Sequence, residues 1–341
     1  MLVPDQTLTT DVKMARLQAF LLSALALAGV ALGETCTNPA KRKAWHTLSN
    51  AEKLDYLNAE LCLMAAPAKL GLPGARTRFD EFQAIHQLQA YATHHVGAFL
   101  PFHCLLTTAH ETALREECNY KGYQPYWHEP MDAGAFSKSS LFDPTYGFGG
   151  DGDRSRGGCI TTGPFANYTN SLGPSYQVTQ HCIDRRISDG ASSRSSQANV
   201  DACLAKKTWE EAWPCLEGAP HGGGHGGVGG QMTNGVSSPG DPIFYLHHTW
   251  LDKVWWNWQA GGDRAERMGR VAGRNVQADR LPGFPARPGN IPKPTGADGD
   301  PGTETTMGHV LNMFGNGPNK TIADVMDIQG EFLCFEYVEP E

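Results

Sequence analysis

The chain has 341 residues, 40% hydrophobic and 19% charged, which is ordinary for a globular protein and long enough for one large core. Its formal net charge of -8 argues against nucleic acid as a partner, because phosphate binding needs a basic patch.

Residues 14–33 read as a secretory signal. Arg16 supplies the positive start, residues 17–30 the apolar run, and Ala31-Leu32-Gly33 a small-residue cleavage site. The run is too short to span a bilayer comfortably, so no membrane partner is expected. A start at Met14 fits this signal better than one at Met1, and the mature chain is expected to begin near Glu34. Residues 34–341 are expected to form a single domain of a secreted protein. The nine cysteines then belong to an oxidising compartment, where several pair. Their connectivity is not readable from sequence, and an odd number leaves at least one unpaired. Cys104, beside a candidate metal ligand on an apolar helix, is the expected free thiol. Asn167-Tyr168-Thr169 and Asn319-Lys320-Thr321 are glycosylation sequons.

Ser49-Asn50-Ala51-Glu52 forms a capping-box pattern that opens a helix to about Ala65, stopped by Pro67. A second helix is expected over residues 78–92, with Phe79, Phe82, Ile85 and Leu88 at helical spacing. A third is expected over 101–118. Residues 132–179, rich in Gly, Pro, Ser and Tyr, read as a long loop wrapping the core. One helix over 199–215 precedes a glycine-rich run from Gly218 to Gly230. Asp241-Pro242 opens the next helix, with proline in first position, and it continues to about Ala260. Its tryptophans, Trp250, Trp255, Trp256 and Trp258, are expected in the core. Residues 281–301 form a Pro/Gly loop, and 332–338 alternate as a strand.

Six histidines fall into two groups along these elements. His86 lies on the second helix, His94 in the turn after it, and His103 at the start of the third. They can meet only if the two helices are antiparallel neighbours. His221 and His225 are four apart, so on a helix they share one face. The residues between them are all glycine, and glycine costs about 0.8–1 kcal/mol against alanine in a helix interior. A helix there needs tertiary packing or a metal to hold it. His247 and His248 open the tryptophan-rich helix. Neutral imidazoles are good copper ligands, and three of them leave the metal an open position.

Phe99-Leu100-Pro101-Phe102-His103, with His94 nine residues before His103, resembles the first copper motif of the tyrosinase and catechol oxidase family. Asp241-Pro242-Ile243-Phe244-Tyr245-Leu246-His247-His248, followed by Leu251-Asp252-Lys253-Val254-Trp255, resembles the second. Leu216-Glu217-Gly218 and Gly229-Gly230-Gln231-Met232 also match. The resemblance extends from Trp45 to Trp258 and is to a short fungal-type member without a C-terminal lid domain. It implies a mainly α fold, with a four-helix core holding a dicopper site amid long loops and a few short strands. It places His86, His94 and His103 on one copper and His221, His225 and His248 on the other. The nine-residue spacing selects His94 over His95, and the second histidine of the pair selects His248 over His247. His95 and His247 are then supporting groups, and Asp252, four residues after His248, is placed to orient a ligand imidazole. The implied activity is oxidation of o-diphenols to o-quinones, with O2 as co-substrate reduced to water.

The chain departs from the family pattern in four places. Cys104 replaces the usual arginine after His103, and Phe102 the usual tryptophan before it, changes expected to loosen packing or charge near the first copper. Ala92 stands where some relatives carry a cysteine that forms a thioether to His94. In relatives that hydroxylate monophenols well, an asparagine follows the first histidine of the second site and holds a water together with a nearby glutamate. Here Glu217 is present but the asparagine position is Gly222. A phenol has a pKa near 10 and needs a base at neutral pH, so diphenol oxidation is expected to exceed monophenol hydroxylation. Gly222 and Gly226 are expected to leave a wide entrance, with Val236 at its mouth. The alternatives are a full tyrosinase, an o-aminophenol oxidase, an O2-binding dicopper protein, a dizinc hydrolase and a metal-free homologue.

Overall fold

A computed structural model describes residues 36–277, 284–289 and 298–340. The signal segment and most of the 281–301 loop lie outside the described residues. Helix α1, Asn50–Ala65, begins at the expected capping box: the Ser49 hydroxyl accepts from the Glu52 N–H, and the Glu52 carboxylate accepts from the Ser49 N–H. Helix α2, Arg78–Thr93, starts with the same device, built from Thr77 and Asp80. It ends at His94. A short turn containing His95 (φ 54°) leads into α3, Phe99–Cys118. That helix opens two residues earlier than expected, and Pro101 sits in its first turn, where a missing N–H costs nothing.

The expected single helix over 199–215 is two. Helix α4 is Gln197–Leu204 and α5 is Trp209–Leu216. The Cys203–Cys215 disulfide explains the break. Its Cα atoms lie 5.5 Å apart, whereas twelve residues of continuous helix span roughly 18 Å. After α5 the chain widens into a π turn, Glu217–His221. Pro220 lies within it; it cannot donate to the Leu216 carbonyl, and its ring crowds that group. Helix α6, Gly222–Val228, follows directly, so the glycine-rich run is helical. Helix α7, Ile243–Ala260, begins one residue after Pro242, and the Asp241 carboxylate accepts from the Ile243 N–H.

Helices α1 and α2 pack against α3, and α3 packs along α7. The core between them holds Phe79, Phe82, Phe99, Trp250, Trp255 and Trp258, each essentially inaccessible to water. Residues 132–179 wrap this core with short helical turns and two-residue strand pairings, as expected. Strand β1, Ala40–Arg42, pairs in parallel with β2, Phe335–Tyr337, in the register Ala40 to Phe335. Disulfides join Cys36–Cys334, Cys62–Cys118, Cys159–Cys182 and Cys203–Cys215, leaving Cys104 free and buried. Asn167 and Asn319 are both exposed. Among the described residues, no helix is long and apolar enough to cross a membrane.

Candidate metal centre

The two histidine groups meet between α2, α3, α6 and α7. In each group the candidate ligand atoms lie within 4.8 Å of one another. His86, His94 and His103 form a buried set, with ring centroids 4.8–5.5 Å apart. His221, His225 and His248 form the second, joined by His247. The imidazoles of His103 and His248 stack at 4.0 Å, and the rings of His94 and His221 lie 6.4 Å apart, so the two sets face one another.

The backbone sets the direction in which five of the six rings point. The Nδ1 of His86 donates to the Val236 carbonyl at 2.8 Å, that of His94 to Ala90 at 3.1 Å, and that of His103 to Phe99 at 2.7 Å. His221 donates to Glu217 at 3.0 Å, and His225 to Met232. A carbonyl can only accept, so each Nδ1 carries the proton and each Nε2 keeps its lone pair. The Nε2 atoms of His86, His103 and His221 are buried and bond to nothing in the protein. Those of His225 and His248 approach to 3.3 Å. Burial holds all six imidazoles below their ordinary range, His94 at about 3. Neutral, inward-pointing donors without protein partners suit soft or borderline metal ions, copper among them.

The glycines of α6 divide by face. A Cβ at Gly224 would lie 2.3 Å from two ring atoms of His247 and 2.6 Å from Glu129 Oε1. A Cβ at Gly227 would lie 2.6 Å from two ring atoms of Phe136. Close helix approach therefore requires glycine on this face, and packing offsets the propensity cost. Gly222 and Gly226 lie on the other face and are half-buried, as are His221 and His225, so this site opens toward solvent on the His221 side.

Several sequence expectations need correction. The His95 imidazole is exposed, and its link to the site is its backbone N–H, which donates to Glu217 Oε1 at 2.8 Å. Val236 is fully buried, not at a mouth, and acts through the carbonyl that orients His86. Asp252 hydrogen-bonds the Tyr337 hydroxyl and lies 4.0 Å from Arg42, with Cys104 beside it. It makes no bond to His248, whose Nδ1 is buried without a partner, as is Asp252 Oδ1. The loss of the arginine beside His103 does not leave the region without positive charge. Arg42 arrives from β1, bonds Glu111 at 3.0 Å and lies over the Phe335 ring at 3.6 Å. His247 lies within the second cluster, and its Nδ1 contacts the buried Glu129, a residue no spacing in the sequence marks. Phe284, which sequence reasoning also missed, packs 5.6 Å from the His94 ring and 6.2 Å from that of His95. Glu217 is buried and pushed up to about 8 by desolvation, with the His95 N–H opposing; its Oε2 has no partner.

A mainly α protein with two facing clusters of neutral imidazoles has the donor set to hold two metal ions. The common central domain of tyrosinase matches residues 76–261. The chain belongs to the tyrosinase family. It is 30% identical over 314 residues to tyrosinase ustQ of Aspergillus flavus, covering 89% of this chain and 80% of that one. It is 29% identical to N-acetyl-6-hydroxytryptophan oxidase ivoB of Emericella nidulans, covering 88% and 92%. A glycine-to-asparagine mutant of polyphenol oxidase from Thermothelomyces thermophila superposes with a TM-score of 0.74 at 30% identity, over 88% of this chain and 89% of that one. The expected mainly α fold with a four-helix core is the observed one.

Proposed function

We propose that the protein is a secreted copper oxidase that converts o-diphenols to o-quinones, with weak monophenol hydroxylation. Two o-diphenols give up four electrons and four protons, which reduce one O2 to two waters. The observation that carries this reading is the set of imidazoles whose Nδ1 protons are tied to backbone carbonyls and whose Nε2 atoms converge unpartnered. In this reading His86, His94 and His103 hold one copper, and His221, His225 and His248 the other. Bound copper supplies the one-electron couple and the binding position for O2.

The chain's own residues set the conditions around the metals. The carbonyls of Val236, Ala90, Phe99, Glu217 and Met232 hold the rings in one orientation. The buried aromatic residues behind them exclude water. The phenol enters on the half-buried face of His221, Gly222, His225 and Gly226. Glu217 serves as the base for the phenolic proton: Oε1 is anchored by the His95 N–H, and Oε2 is free to accept. Gly222 has no side-chain amide to help Glu217 hold a water, which favours diphenols over monophenols. Hydroxyindole or o-aminophenol oxidation is the second reading, supported by the relative named for a hydroxytryptophan. The signal segment and the four disulfides support secretion, and the exposed sequons support glycosylation.

The test is metal analysis followed by oxygen uptake with a matched phenol and catechol. Two coppers per chain with faster uptake on catechol is the expected result. Zinc alone, or copper with no uptake on either substrate, refutes the proposal. Phenol hydroxylation without a lag refutes the diphenol preference.

A further inference from the structure

We propose that Arg194 is a substrate-selecting residue at the open side of the site, where its guanidinium binds the carboxylate of an acidic phenol. The inference rests on the phenol-oxidase reading above. Arg194 lies in the helical turn Ser193–Ser195, which packs against α6 and the π turn. Its Nη2 donates to the Gly218 carbonyl, which fixes the group across the start of the glycine-rich segment. A Cβ built on Gly222 would lie 3.4 Å from Nη2, 3.7 Å from Cζ and 3.9 Å from Nε. The guanidinium therefore lies alongside Gly222 and fills the space that a side chain after His221 would take.

Three observations make this a binding position. First, it borders the half-buried face that carries His221 and His225, whereas His86, His94 and His103 are closed off. Second, Arg194 is exposed, and among the described residues no carboxylate pairs with it and no protein acceptor bonds its Nε or Nη1. Third, the nearby acid is committed elsewhere: Glu217 points inward and accepts from the His95 N–H. The result is an anchored guanidinium, beside the residue that follows a candidate copper ligand, whose Nε and Nη1 are free and whose Nη2 keeps a second N–H to complete a two-donor edge. A guanidinium edge matches a carboxylate in two parallel hydrogen bonds, which a neutral substituent cannot make. A diphenol whose ring sits at the metals and whose side chain ends in a carboxylate places that group on the Arg194 side.

The test compares the copper-loaded wild type, Arg194→Gln and Arg194→Lys on 3,4-dihydroxyphenylpropionate and 4-methylcatechol. We expect Arg194→Gln to lower the ratio of kcat/KM for the acid over that for the neutral catechol by about tenfold, through KM rather than kcat. Arg194→Lys recovers part of it, because the charge remains but the fork does not. Calorimetric titration with benzoate gives a second readout that does not depend on turnover: binding weakens in Arg194→Gln, while benzamide binding does not follow. An unchanged selectivity ratio together with unchanged benzoate binding overturns the proposal. If the wild type oxidises neither catechol, the oxidase reading fails by itself, and the benzoate comparison still decides the role of Arg194.

Discussion

Alanine at Gly224 and alanine at Gly226 are the same chemical change two residues apart on one helix, and the packing predicts opposite signs. At Gly224 the new Cβ falls 2.3 Å from Cε1 and Nδ1 of His247, where ordinary contact begins at 3.4 Å, so the two must separate by 3.4 minus 2.3, or 1.1 Å. The His247 ring cannot retreat, because it is fully buried and its Nδ1 is held by Glu129. Overpacking of this kind costs about 1–3 kcal/mol, and the better helix propensity of alanine returns at most about 1. With so short a contact against a fixed ring, the net loss falls near 2 kcal/mol. At Gly226 the Cβ meets only the Ala191 methyl at 3.5 Å, so the propensity gain survives and the variant is neutral or more stable by up to about 1 kcal/mol. Because His221 and His225 flank Gly224, its variant should also lose copper from their site. Unfolding midpoints and copper content, measured side by side, check both outcomes. A Gly224→Ala protein as stable as Gly226→Ala, with full copper, would refute the claim that His247 requires glycine there.

Other expectations follow from contacts that sequence spacing does not reveal. Arg42→Met leaves Glu111 and Asp252 buried without their counter-charge and should cost about 3–5 kcal/mol, read by chemical denaturation. Burial pushes the Cys104 thiol well above the ordinary range, so it should stay protonated and silent to a thiol reagent at pH 8, reacting only on unfolding. Rapid labelling of the native protein would contradict its burial. His248→Ala should lose one copper per chain, while His247→Ala should keep two; the reverse result exchanges their roles. Gly222→Asn should raise the monophenol-to-diphenol rate ratio and, because its Cβ lies 3.4 Å from Arg194 Nη2, weaken the preference for acidic phenols at the same time. An unmoved rate ratio counts against the water-holding role of that position.

Most of the helix starts were legible because their signals are local. Ser49 with Glu52 and Asp241 before Pro242 act within a single turn. The error at 199–215 came from a long-range fact, the disulfide that folds Cys203 back on Cys215. The errors at His95, Val236 and Asp252 share a cause. Sequence position placed His95 and Asp252 beside candidate ligands and Val236 at the entrance, but only the tertiary structure shows which way each side chain and backbone group faces. Phe284 and Glu129 carry no motif at all and reach the site from segments far along the chain.

By itself, the amino-acid sequence marked the candidate donors: two groups of histidines, from which the family resemblance picked six. Side-chain chemistry and local spacing suffice to mark the candidates, and the motifs around them carry the resemblance. The tertiary structure decided what surrounds them. The carbonyls that set the tautomers, the Arg42 that supplies charge beside Cys104, the face on which glycine is obligatory and the open side beside Arg194 all join residues distant in sequence. Such contacts depend on how whole helices pack, and no local pattern encodes them.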